Sequence, residues 1–169
     1  RYQDEGTIQQ KINQIPNMKK RDKDLIETMF LFHNNRFEDV IKVSRHHARE
    51  LEEWLRVHVI SLDKLNRQEE ILYLLNSGLE FKNYRPSTRL LMSYLEMKYV
   101  FPADDYVARL RTDFIYHKWK TDDNQVQTFI YLDSAMILAA NHFYKDAHRL
   151  LNEVYDIHKN RSRIKPRIS

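Results

Sequence analysis

Arg36-Phe37-Glu38-Asp39-Val40-Ile41-Lys42-Val43 sets one aromatic residue and two acids ahead of an aliphatic pair, and the arrangement returns along the chain. It comes back as Arg67-Gln68-Glu69-Glu70-Ile71-Leu72-Tyr73-Leu74, more loosely as Pro102-Ala103-Asp104-Asp105-Tyr106-Val107, and as Phe143-Tyr144-Lys145-Asp146-Ala147-His148-Arg149-Leu150. Each copy follows an apolar segment with helical spacing and a polar break. From Val40 to Ile71, Tyr106 and Ala147 the intervals are 31, 35 and 41 residues. Helical hairpins repeat in this range, because one hairpin cannot bury its apolar face until a neighbour stacks on it. The expected fold is all-α, with antiparallel helix pairs stacked as a short α-solenoid.

Composition narrows the functional classes. The chain has 169 residues, 42% hydrophobic and 31% charged, enough for one body with a proper core and unlike a disordered polymer. Two glycines and four prolines leave phosphate-cradling loops and β-hairpins without their usual residue. The absence of cysteine removes disulfides, thiolate metal sites and thiol nucleophiles together. No run approaches the roughly 18 apolar residues of a membrane span. Residues 159–169 hold Lys159, Arg161, Arg163, Lys165 and Arg167 with no acid; this local +5, set against +4 for the whole chain, leaves −1 for residues 1–158.

Three segments follow: a polar N-terminal arm over 1–21, a helical-repeat domain over 22–158 and a basic C-terminal tail over 159–169. In the arm, Ile8, Ile12 and Ile15 could line at most a marginal two-turn helix. Leu25, Met29, Phe30 and Phe32 then mark a helix that Asn34-Asn35 should end. Leu51, Trp54, Leu55, His58, Leu62 and Leu65 form one stripe on a helix from about Ala48 to Leu65, and Ile71, Leu74, Leu75 and Leu79 the next, with Ser77-Gly78 as its stop. Pro86-Ser87 opens a helix with Leu90, Leu91, Tyr94, Leu95 and Tyr99 inward, which Phe101-Pro102 must break. Tyr106, Val107, Leu110 and Phe114 line its partner. Asp122-Asp123-Asn124 caps a helix with the face Phe129, Leu132, Met136, Ala139 and Ala140, and the last helix, about Tyr144 to His158, presents Ala147, Leu150, Leu151, Val154 and Ile157.

Helix pairs of this period, with an aliphatic residue or Ala at a fixed place in the second helix, resemble the tetratricopeptide and pentatricopeptide repeat class. Pro86 and the Thr121-Asp122 turn, about one repeat apart, are the most similar to a pentatricopeptide unit. In pentatricopeptide proteins a polar residue early in the first helix reads one RNA base per repeat. The matching positions here are Leu25, Arg56, Leu91 and Leu132, three of which can neither donate nor accept a hydrogen bond. The resemblance thus implies an RNA-associated protein of mitochondrial gene expression that grips backbone phosphates, not a base-by-base reader. The alternative is a tetratricopeptide-like scaffold holding a protein subunit, in the cytoplasm or nucleus.

Catalytic and metal chemistry find little support in the residues. His46-His47 are adjacent, and His142 and His148 lie about 120° apart on a helix, so neither pair makes an i, i+4 ligand set. His58, alone on an apolar face, reads as a hydrogen-bonded core residue. Glu38-Asp39, Glu69-Glu70 and Asp104-Asp105 stand at helix starts, where negative charge favours the amide end of the dipole. Ser44, Ser87 and Ser134 lack a nucleophile-elbow context. No enzyme, cofactor or metal site is expected. Contact with RNA or a partner protein is expected at Lys82, Arg85, Lys118 and Lys120, beside Tyr84, Tyr116, Trp119 and Tyr155, and along Lys159, Arg161, Arg163, Lys165 and Arg167.

Overall fold

A computed structural model describes residues 5–77 and 83–163, including all side chains there except those of residues 5, 8 and 160–163. Among the described residues there are nine α-helices and no strand: α1 Glu5–Asn13, α2 Lys20–His33, α3 Phe37–Ser44, α4 Glu52–Lys64, α5 Gln68–Leu75, α6 Pro86–Val100, α7 Ala103–Ile115, α8 Asn124–Ala140 and α9 Tyr144–Arg163. The chain divides into two packed units, Arg1–Leu79 and Glu80–Ser169. The four copies of the opening motif are the second helices of four hairpins, α2/α3, α4/α5, α6/α7 and α8/α9.

Local chemistry explains the boundaries. Paired acids fill the first turns of α3, α5 and α7, where they face unpaired backbone amides. Pro86 occupies the first turn of α6, and Pro102 forces the break before α7. Asp123 caps α8, its Oδ1 accepting from the Val126 amide at 3.0 Å. Ser87 makes no such cap for α6; it lies inside the helix and is buried.

Three hairpins turn in the same way. Asn35, Asn66 and His142 take positive φ of 58°, 55° and 66°. The next residue's amide then reaches back to a leucine carbonyl: Arg36 to Leu31 at 2.9 Å, Arg67 to Leu62 at 3.0 Å and Phe143 to Leu138 at 2.8 Å. This closure satisfies carbonyls that a helix end leaves open, with Asn or His in the place usually held by Gly. Leu31, Leu62 and Leu138 are all buried, as are Val40, Ile71 and Ala147 five residues after the positive-φ position. Turn and core register are thus repeated together.

In unit 1, Leu31, Val40 and Val57 form a core against which Met29 and Phe32 pack. α4 is buried at every position from Trp54 to Asp63, because α2, α3 and α5 all pack on it. Its helix begins at Glu52, not near Ala48: residues 45–50 are turns, and Leu51 is extended. The buried line of α2 runs through Thr28 and Leu31, leaving Leu25, Met29 and Phe30 half-buried. α1 packs on α2 and buries Ile12, so the arm's helix is tied down. Leu79 and Gly78 lie outside the described residues.

Unit 2 is centred on Tyr94 of α6. Tyr106, Trp119 and Phe129 meet its ring edge-on, at 6.4, 5.6 and 6.1 Å between centroids. Its hydroxyl donates to Asp133 of α8, accepts from Ser134 at 3.3 Å, and lies 2.8 Å from the Tyr106 hydroxyl. Lys98 completes the cluster, donating to both Asp133 oxygens at 3.1 and 2.9 Å. This polar cluster turns α8 away from its expected register. Gln127, Asp133 and Ser134 are buried beside Ile130, Tyr131 and Leu138, whereas Met136 is 58% exposed and Leu132 only half-buried. On α9 the inward residues are Ala147, Leu150 and Val154, but Leu151 is exposed. α9 also runs five residues past His158, so the backbone of 159–163 continues the helix.

Candidate ligand-binding groove and basic surface

Two concavities that carry polar chemistry lie in unit 1, where the end of α3, α4 and α5 meet. Arg45, Arg49, His58, Glu69, Glu70 and Tyr73, with Ala48 and Leu74 beneath, line a hollow of about 360 Å³. A second hollow, of about 550 Å³, is lined by Glu38, Ile41, Lys42, Arg45, His46 and Arg67. Arg45 stands between them, its Nη2 bonded to Glu70 Oε2 at 3.2 Å. Arg67 bonds Glu70 as well and reaches Glu38 at 3.4 Å, so one arginine pair and two acids tie α3 to α5.

His58 forms part of the floor. Its Nδ1 lies 2.7 Å from Ser44 Oγ, and the ring is only 5% exposed. Burial lowers its pKa to about 4, helped by the positive charge of Arg45, so the ring is neutral at pH 7. Ser44 is fully buried, which keeps its hydroxyl from any substrate and makes the Ser44–His58 pair a structural one. The hollow therefore offers fixed hydrogen-bonding groups, paired surface charges, a short apolar floor and the 70% exposed ring of Tyr73. Such a surface can hold an extended peptide through side-chain pockets and alternating charges.

The cations singled out in the sequence fall elsewhere. Lys118 and Lys120 flank Trp119 in the connection from α7 to α8; Lys118 Nζ is 3.7 Å from Asp113 and 5.0 Å from the Trp119 ring. Trp119 is 1% exposed and packs on Tyr94, so it is core and not a free stacking platform. Arg85 is the exposed residue before α6. Lys159 is exposed on α9 with its Nζ 5.9 Å from the Tyr155 ring, and Tyr116 and Tyr155 are exposed at 77% and 64%. The side chains of Arg161 and Arg163 are not described, and Lys82, Lys165 and Arg167 lie outside the described residues. The described cations, Arg85, Lys118, Lys120 and Lys159, are spread over three segments of unit 2.

The groove of unit 1 was missed in the sequence. Its one legible signal was Tyr73, an aromatic residue off the Ile71–Leu74–Leu75 stripe; the approach of Arg45 to Glu70, 25 residues apart, has no local signature. Compared with protein-family models, curated proteins and solved structures, the chain matches none.

Proposed function

We propose that this chain is a non-catalytic helical-repeat scaffold, its hairpins stacked within each unit in the manner of an α-solenoid, and that unit 1 holds an extended segment of a protein partner. The groove around the Arg45–Glu70 bridge carries this reading. Several described arginines already meet a carboxylate, among them Arg36 with Asp39 at 2.7 Å, Arg45 with Glu70 at 3.2 Å and Arg111 with Asp146 at 2.8 Å. A phosphate backbone would compete with these acids, whereas a peptide can supply both signs of charge. Peptides selected from a random library on the full chain should lose about tenfold or more in affinity with Tyr73→Ala or Arg49→Ala, and nothing with Lys159→Ala. Peptides indifferent to both groove variants would remove this reading.

The acid-free stretch 159–169 favours a second reading, an RNA-associated protein of mitochondrial gene expression that grips backbone phosphates. Its test is a salt titration of binding to unrelated RNA sequences. Replacing Arg161, Arg163, Lys165 and Arg167 by Ala should weaken all of them alike and reduce the log–log salt slope by roughly 3, at about 0.7–0.9 for each phosphate no longer neutralised. On this reading the four charges face solvent and the RNA, so thermal stability should hardly change.

A further inference from the structure

Counting from the first residue of each hairpin's second helix, positions 0, +4, +7 and +11 form one stripe. In α3 and the turn after it these are Phe37, Ile41, Ser44 and Ala48. Ile41, Ser44 and Ala48 are buried, and α4 packs on this side, with His58 bonded to Ser44 at 2.7 Å. In α7 the stripe includes Leu110, fully buried, and Phe114, edge-on to Tyr131 of α8 at 5.1 Å. The same joint is marked by charge in both units. Arg45 and Arg111, each at +8, bridge to Glu70 and Asp146, each at +2 of the following hairpin's second helix.

In α9 the stripe is Tyr144, His148, Leu151 and Tyr155. Tyr144, Leu151 and Tyr155 are 63%, 46% and 64% exposed, and His148 is exposed as well. It is not the face that α9 turns to α8, which is Ala147, Leu150 and Val154. α9 thus repeats the surface that another helix covers in α3, and among the described residues no helix lies upon it. Charge says what kind of helix would fit. Lys145, His148, His158 and Lys159 are exposed on or beside the stripe, and α9 has one exposed acid, Asp156. Asp146 is engaged by Arg111, and Glu153 by the Tyr131 hydroxyl.

We infer that the outer face of α9 docks an amphipathic helix of a partner protein, seated as α4 is on α3, with an acidic first turn beside His158 and Lys159. The helix α4 itself has this character, opening with Glu52-Glu53 ahead of Trp54-Leu55. Its apolar residues would fill the grooves between Tyr144, Leu151 and Tyr155, as ridges of one helix enter the grooves of another. The inference stands apart from the groove of unit 1, and the two can fail separately.

The test uses the full chain and a fluorescent, N-acetylated peptide of residues 50–66 as the probe, read by anisotropy. Saturable binding is expected, weakened about tenfold or more by Leu151→Asp with Tyr155→Asp, and again by Tyr144→Ala alone, with far-UV circular dichroism unchanged. Reversing the peptide's charge, Glu52→Lys with Glu53→Lys, should weaken binding to the parent chain and be partly rescued by Lys159→Glu. Tyr73→Ala should leave this binding intact. Absence of saturable binding, or binding indifferent to the α9 variants because the peptide has displaced α4 in unit 1, overturns the inference. So does a concentration-dependent dimer abolished by Leu151→Asp, which assigns the face to a second copy, or loss of RNA binding in that variant without loss of peptide.

Discussion

His58 shows how one buried side chain joins packing to pH. The fold holds its pKa at about 4 against an ordinary value of 6.5, chiefly because burial penalises the charged ring. The unfolded chain therefore binds this proton more readily between those values. The contribution of the neutral ring is complete above pH 6.5 and is lost as pH falls toward 4, at a cost of about 3 kcal/mol. In a Trp119→Phe background, Trp54 emission can follow urea unfolding of unit 1. The parent should lose about that much more stability than His58→Gln when taken from pH 7 to pH 4; equal losses would mean the ring is not held neutral. The sequence indicated a hydrogen-bonded core histidine here, since a lone polar residue on an apolar stripe must find a partner. It could not indicate Ser44, 14 residues upstream, as that partner. Trp119 taught the opposite lesson. Lysines on either side suggested a surface ring, yet the ring packs on Tyr94 because a large aromatic surface is better buried than left in water.

At the scale of the helices, the repeated turn is the most local feature and the most predictable. Asn35, Asn66 and His142 adopt left-handed angles that cost a non-glycine residue roughly 1 kcal/mol, least for Asn. Replacing His142 by Gly should stabilise unit 2 by about 0.5–1 kcal/mol, and Asn66→Ala should destabilise unit 1 by about 1 kcal/mol. Thermal melts of the two variants check both signs. A His142→Gly chain that melts lower would show that the 3.0 Å contact from His142 Nδ1 to the Tyr144 hydroxyl matters more than backbone strain. Helix starts and stops were legible because acids, prolines and asparagines act within a turn of where they stand. Helix faces were less so. Leu132, Met136 and Leu151 read as inward on spacing alone, and each is more exposed than that reading required.

For the molecule as a whole, the polar centre of unit 2 decides what spacing could not. Asp133 links α6 and α8 through Tyr94 and Lys98, and the Tyr106 hydroxyl brings in α7. Burial and the Asp133 charge raise the Tyr94 pKa well above 10, so its proton stays in place to be donated. Asp133→Asn leaves a half-buried Lys98 ammonium short of its counter-charge and should cost about 2–4 kcal/mol; Tyr94→Phe, which removes one hydroxyl from the cluster, should cost about 1–2 kcal/mol. Urea unfolding followed by Trp119 emission in a Trp54→Phe background gives both values, and the reverse order would displace Asp133 from the centre of this cluster. By itself the sequence determined the all-helical character seen in the described residues, the places where its hairpins turn, and a body near neutrality with a basic end. These follow from short-range rules: periodicity, capping, and residues that cannot continue a helix. Only the tertiary structure decided which face of α8 is buried, that Arg45 meets Glu70, and that the stripe covered in α3 lies open in α9. Burial and ion pairing between distant residues depend on how helices approach one another, and helical spacing carries no record of that approach.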